Sequence, residues 1–263
     1  MTTHTFKSAD SKITYEDHGT GAPLLLLHAF PLGRAMWQAQ IDTFARTQRV
    51  LVPDIRGLGD STLGAGATSM DRYADDAAAL MDHVGIARCV VVGVSLGGYI
   101  AFALHRRHPD RITGLVLANT RSLPDTPEAR EARAATARMV VAQGTGTLAE
   151  SMTPKLLAPA APADLRARVH AIISANRQLG VVAALGALAE RPDSTATLAT
   201  ILVPTLVVAG EHDALIPLEE SRTMAEGLLD ATFALIPDAG HLACMEQPEA
   251  FNRELADWMQ QLD

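Results

Sequence analysis

The sequence predicts an α/β fold: a mostly parallel central sheet with helices on both faces, and one long helical insertion. Three observations carry that expectation. Short uninterrupted apolar runs recur along the chain, as strands covered on both faces require. Segments with apolar residues at helical spacing lie between them. One stretch of roughly 80 residues contains helical segments and no strand-like run, far more than a crossover needs.

In chain order, residues 13–18 (ITYEDH) read as an early strand, with the turn at Gly19 to Gly21 behind it. PLLLLH (23–28) and RVLVPD (49–54) are buried runs, the second followed by the loop IRGLGDST. A helix is expected over 71–84, with Asp71 placed to cap it. CVVVGV (89–94) is the next buried run, and the helix behind it ends before Pro109. ITGLVLAN (112–119), VPTLVVAG (203–210) and ATFALIPD (231–238) complete the strands, and an amphipathic helix from Pro248 closes the chain. The alternation implies right-handed crossovers. Residues 1–120 and 201–263 are therefore expected to form the core. Residues 121–200, broken at Gly144, Gly146, Pro154, Pro159 and Pro162, should lie over one end of the sheet.

Composition bounds the function. With 263 residues, 48% of them hydrophobic and 20% charged, the chain can bury a large core without disulfides or metal. A formal charge of −8 argues against nucleic acid or an anionic membrane surface as partner and says little about substrate; the expectation of a small-molecule partner rests on the candidate site residues instead. Cys89 and Cys244 read as packed, reduced thiols, which excludes a disulfide scaffold and a cysteine-rich metal site. The polar start MTTHTFKSAD has no apolar signal segment, and no run of about 18 apolar residues occurs, so a cytoplasmic address is expected.

Chemistry concentrates at Gly93-Val94-Ser95-Leu96-Gly97, a G-x-S-x-G pattern set between a buried strand and a helix. To aim a side chain out of the end of a strand, the chain must turn within one residue. The serine then takes strained dihedrals, and its neighbours two positions away must lack Cβ atoms. A serine hydroxyl needs a base, and the base needs a carboxylate to fix its tautomer. Each should follow a later strand. Glu211-His212-Asp213 offers two carboxylates after VPTLVVAG, and Asp213 is chosen because it lies further into the loop. His241 follows a glycine after the last strand. Of the nine histidines, His83, His105, His108 and His170 read as surface residues of helices. His212 is a second-choice base, and His28 reads as structural, bonding the loop after its strand. The order Ser…Asp…His is that of α/β-hydrolases.

The chain resembles α/β-hydrolases over nearly its whole length, through His28-Ala29-Phe30-Pro31, Asp54-Ile55-Arg56-Gly57-Leu58-Gly59-Asp60-Ser61, Gly93-Val94-Ser95-Leu96-Gly97-Gly98, Gly210-Glu211-His212-Asp213 and Gly240-His241. It looks most like small capped carboxylesterases, near enol-lactonases and cofactor-free perhydrolases. The resemblance implies a triad of Ser95, His241 and Asp213, an oxyanion hole from the Phe30 and Leu96 amides, a helical cap over 121–200, and no metal or organic cofactor. It departs from the family in carrying Ala29 where a glycine is usual.

Carboxylesterase activity is the first expectation. A lactonase with the same triad is a close variant, carbon–carbon bond hydrolysis is a remoter one, and perhydrolysis could accompany any of them. A hydrolase-like ligand receptor is the reading from another class. Asp54 and Arg56 are expected to pin a loop rather than act. Trp37 and Met36 read either as the border of the acyl pocket or as ordinary packing, and Met139, Met152, Leu156 and Leu157 either as an apolar roof or, as is commoner at helical spacing, as core. The absence of an obvious charged cluster in that roof suits small neutral esters with short acyl chains.

Overall fold

The computed structural model describes residues 3–262. The sheet begins one strand earlier than the apolar runs indicate. Thr3–Ser8 forms β1, paired antiparallel with β2 (Ser11–His18). Only Phe6 and Ser8 are buried along β1, so this edge strand carries no apolar run to read. β3 (Ala22–Leu27), β4 (Gln48–Pro53), β5 (Cys89–Val94), β6 (Ile112–Ala118), β7 (Thr205–Gly210) and β8 (Ala231–Ile236) each fall on an expected run. The eight-stranded sheet has the order β1-β2-β4-β3-β5-β6-β7-β8. β2 runs antiparallel to both neighbours, and every other pair is parallel.

Register decides where the functional loops emerge. Leu27 pairs with Gly93, Val94 with Ala118, Ala118 with Val208 and Gly210 with Ile236. The carboxyl ends of β3, β5, β6, β7 and β8 are thus level, and the loops after them share one rim. In a parallel sheet that rim is where ligands bind.

Helices cover both faces. α1 (Gln38–Phe44), α2 (Met70–His83) and α3 (Leu96–Arg107) belong to the first half, and α2 packs on α3. Between β6 and β7 come α4 (Pro127–Gln143), α5 (Thr145–Leu156), α6 (Ala163–Ser174), α7 (Gln178–Ala189) and the short α8 (Thr195–Leu198). α4 packs on α7 and α5 on α6. α9 (Leu218–Glu226), α10 (Ala243–Glu246) and α11 (Pro248–Met259) follow, and α11 packs on α1 and β8.

Two local expectations change. The cap of α2 is Ser69, whose hydroxyl accepts the Arg72 amide at 3.1 Å; Asp71 sits inside the first turn, where its charge favours the helix N-terminus. His105 is buried rather than superficial and hydrogen-bonds Thr200 Oγ1 at 3.1 Å. Both cysteines are buried free thiols, and burial pushes the Cys89 thiol up to about 12.

Candidate active site

Ser95 sits between Val94, the last residue of β5, and Leu96, the first of α3, with φ 53° and ψ −110°. Its amide donates to Ala118 O at 2.9 Å, and its carbonyl accepts from the Gly98 amide and the Thr120 hydroxyl. The strained turn is held from both sides. A Cβ on Gly93 would meet Gly97 O at 2.3 Å, and one on Gly97 would meet Leu27 O at 2.1 Å. A Cβ on Gly98 would meet the Thr120 side chain at 2.5 Å. From Val91 to Ile100 every residue but Ser95 is buried. The turn brings out one hydroxyl.

The other two members meet across neighbouring loops. His241 Nδ1 lies 3.0 and 2.9 Å from the two carboxylate oxygens of Asp213, and both side chains are almost fully buried. Nδ1–H therefore donates, and Nε2 keeps its lone pair. Asp213 Oδ1 also accepts the Leu215 and Ile216 amides at 2.8 and 3.0 Å. Burial alone would raise the Asp213 carboxyl. Attraction to His241 whenever that ring is protonated, its hydrogen bond, and the donors from Asn119 and Ile216 instead hold it below the usual carboxylate range.

Asn119 was not foreseen. It follows β6 in a left-handed conformation, φ 48°, which asparagine tolerates. Its Nδ2 donates to Asp213 Oδ2 at 3.0 Å and to Gly240 O at 3.3 Å, tying the acid loop to the histidine loop. Glu246 makes a second tie. It accepts the Gly240 amide at 2.9 Å and the Ala158 amide at 2.6 Å, joining the histidine loop to the α5–α6 connection of the insertion. A polar residue just past a strand end was the available signal for Asn119; Glu246 had none.

The competing candidates are elsewhere. Glu211 is exposed and accepts the Asp238 amide, and His212 is exposed beside it. His28 is fully buried; the Ile55 amide donates to its Nε2, so Nδ1–H bonds Ala29 O. Burial holds it below the ordinary imidazole range, a neutral brace for the loop. Asp54 binds the Arg34 amide and guanidinium and the Asp60 amide, whereas Arg56 pairs with Asp76 and Asp10. Each pins a loop, with different partners. Trp37 is a correction: it is wholly buried, packed against Phe251, and is not among the residues lining the cavity of Ser95 and His241.

Ser95, His241 and Phe30 line one cavity of about 270 Å³, near the small end of ligand pockets. The Phe30 and Leu96 amides have no partner among the turn and loop hydrogen bonds of the described residues. Ala29 does not adopt a positive φ, so no glycine is needed there. No hydrogen bond joins Ser95 to His241 among the described residues, a looseness common before substrate binds. Of the four expected roof residues only Met152 reaches the cavity; Leu156 and Leu157 are core, and Met139 packs against it. Nor is the roof uncharged. Arg121, Asp125, Arg133 and Lys155 line it.

Comparison with known proteins agrees with this geometry. Residues 22–157 match the family model described as alpha/beta hydrolase fold, and residues 186–262 one described as TAP-like protein. A protein of Variovorax paradoxus named as a carbamate hydrolase, RutD, is 35% identical over 93% of this chain and 95% of its own. A 3-oxoadipate enol-lactonase of Acinetobacter baylyi is 28% identical, covering 94% of this chain and 93% of its own. A thermophilic esterase from Thermogutta terrifontis, solved with malate bound, superposes with a TM-score of 0.96 at 40% identity, over 100% of this chain and 99% of its own. On this sheet order, this strand–serine–helix turn and these matches, the chain belongs to the α/β-hydrolase superfamily and is a hydrolase.

Proposed function

We propose that the protein hydrolyses small carboxylic esters through an acyl-enzyme on Ser95. One observation carries the reading: the Ser95 turn and the Asp213-bound His241 open into the same cavity. His241 Nε2 takes the hydroxyl proton as Ser95 attacks the ester carbonyl, and Asp213 stabilises the imidazolium that forms. The Phe30 and Leu96 amides receive the oxyanion, aided by the N-terminus of α3; losing one such donor costs roughly 10²- to 10³-fold in rate. His241 returns the proton to the leaving alcohol. Water then repeats the cycle, releasing the acid and freeing Ser95. The helices between β6 and β7 form the cap, supplying Ala129, Met152, Leu185 and Leu188 to the cavity wall. The esterase and enol-lactonase relatives support an oxygen ester, open or cyclic, as the bond cleaved.

Turnover of p-nitrophenyl acetate, butyrate and octanoate tests this, with Ser95→Ala as control. Multiple turnovers that fall by at least about 10⁴-fold in the variant are expected. Equal rates in the two proteins would remove Ser95 from the mechanism, and a single turnover with ligand-dependent partner binding would make the protein a receptor.

A further inference from the structure

The cavity wall opposite the sheet carries more positive charge than its own ion pairs consume. Asp125 has no exposed side-chain surface, and its two oxygens are taken by Arg191 at 2.5 Å and by Arg133. Arg121 Nη1 pairs with Glu220 at 3.0 Å, and its Nη2 is 3.7 Å from Asp125. Arg191 is further fixed over the Tyr99 ring at 4.4 Å. Lys155, exposed in the last turn of α5, has no ion-pair partner among the described residues. Four cations thus meet two carboxylates, in a chain whose formal charge is −8. A purely structural cluster would be closed on itself. This one leaves a lysine, and guanidinium edges of Arg121 and Arg133, on the wall of the cavity that Ser95 lines.

Resting on the hydrolase reading above, we infer that the preferred ester carries a second, ionised carboxylate, which the Lys155–Arg133–Arg121 wall holds while Ser95 attacks the ester carbonyl. Cleavage adds one water across the acyl C–O bond, giving a dicarboxylate, an alcohol and one proton. Asp125 acts as the anchor that holds Arg133 and Arg191 in place. It does not compete for the ligand, because both of its oxygens are already bonded. Arg121 and Arg133 are largely shielded from water, a setting in which a charge-assisted contact discriminates more strongly than at open surface. Lys155 stands at the exposed edge of the wall.

The test compares monomethyl glutarate with methyl valerate, matched in acyl length, by pH-stat titration of the released proton. Wild type is expected to favour the hemiester at least about tenfold in kcat/KM, mostly through KM. Lys155→Met should remove most of that preference, and Lys155→Arg should restore it. Lys155 is exposed, so its loss does not threaten the fold; Arg133→Met would strand buried Asp125 and is avoided. Equal use of both esters by wild type, or an unchanged ratio in Lys155→Met, would overturn the inference and leave the hydrolase reading intact. Should neither methyl ester turn over, the p-nitrophenyl assay above decides the hydrolase reading, and calorimetry with glutarate on Ser95→Ala protein decides the anion site separately. Binding weakened at least about tenfold by adding Lys155→Met supports it, and absence of binding overturns it.

Discussion

The rim of the sheet and the helical insertion above it build one cavity by opposite means. At the rim, backbone geometry places the candidate reacting groups. Register levels the strand ends, a glycine-flanked turn throws out Ser95, and amide donors lock the Asp213 loop. On the insertion side, flexible side chains do the placing. Arg121 in the connection from β6, Arg133 on α4 and Lys155 on α5 reach the cavity, two of them held through the buried Asp125. On the function proposed above, such a division would give bond cleavage to the rim and choice of substrate to the insertion. The rim tolerates almost no change of shape, while the insertion can be altered charge by charge.

The largest effect that tests this division comes from Asp213→Asn. The amide occupies nearly the same volume but no longer demands the Nδ1–H tautomer of His241, so Nε2 loses its role as base. We expect kcat to fall by about 10³- to 10⁴-fold with KM within a few-fold of wild type. If KM rose instead while kcat held, the rim would be acting in binding, and the separation of roles would fail. The ionised state of Asp213 does not limit activity at neutral pH, because its carboxyl is held below the usual range.

The same contrast explains what was readable in advance. Parallel strands buried on both faces must be apolar throughout, so β3, β5, β6 and β7 announce themselves, and a reacting loop must follow their ends. Ser95 and Asp213 were singled out for that reason, and His241 because it follows a glycine after the last strand; the structure sets all three on loops of one rim. β1 was not, because an edge strand with one half-buried face spells THTFKS and breaks no compositional rule. Trp37 was misplaced since size and apolarity do not say which side of a loop faces the core. The insertion was least legible. Its helices bury residues against one another, the core and the cavity at once, so apolar Leu156 goes inward while Lys155 beside it reaches the cavity. Asn119 and Glu246 act by joining loops distant in sequence, a pairing visible only after folding.

Glycine offers the next test, because the two regions use it differently. Gly97→Ala would put a Cβ 2.1 Å from Leu27 O, a backbone atom with no freedom to retreat from the neighbouring strand. The loss should be about 3 kcal/mol or more, read as a fall of roughly 6–12 °C in Tm, with activity failing in parallel. A tolerated alanine would mean that α3 can slide along β3, and that the Ser95 turn is less tightly constrained than the contacts show.

Gly186, inside α7 of the insertion, is the counterpart. It is exposed, and an added Cβ would meet nothing within 4 Å. Here glycine serves no packing purpose and costs helix stability, because the unfolded chain has more conformations to lose. Gly186→Ala should therefore stabilise by about 0.5–1 kcal/mol and raise Tm by roughly 1–3 °C, with kcat/KM within twofold of wild type. A rise in Tm accompanied by a marked loss of kcat would show that α7 must yield during turnover. The insertion would then be a moving part of the reaction rather than a wall that selects substrate by charge.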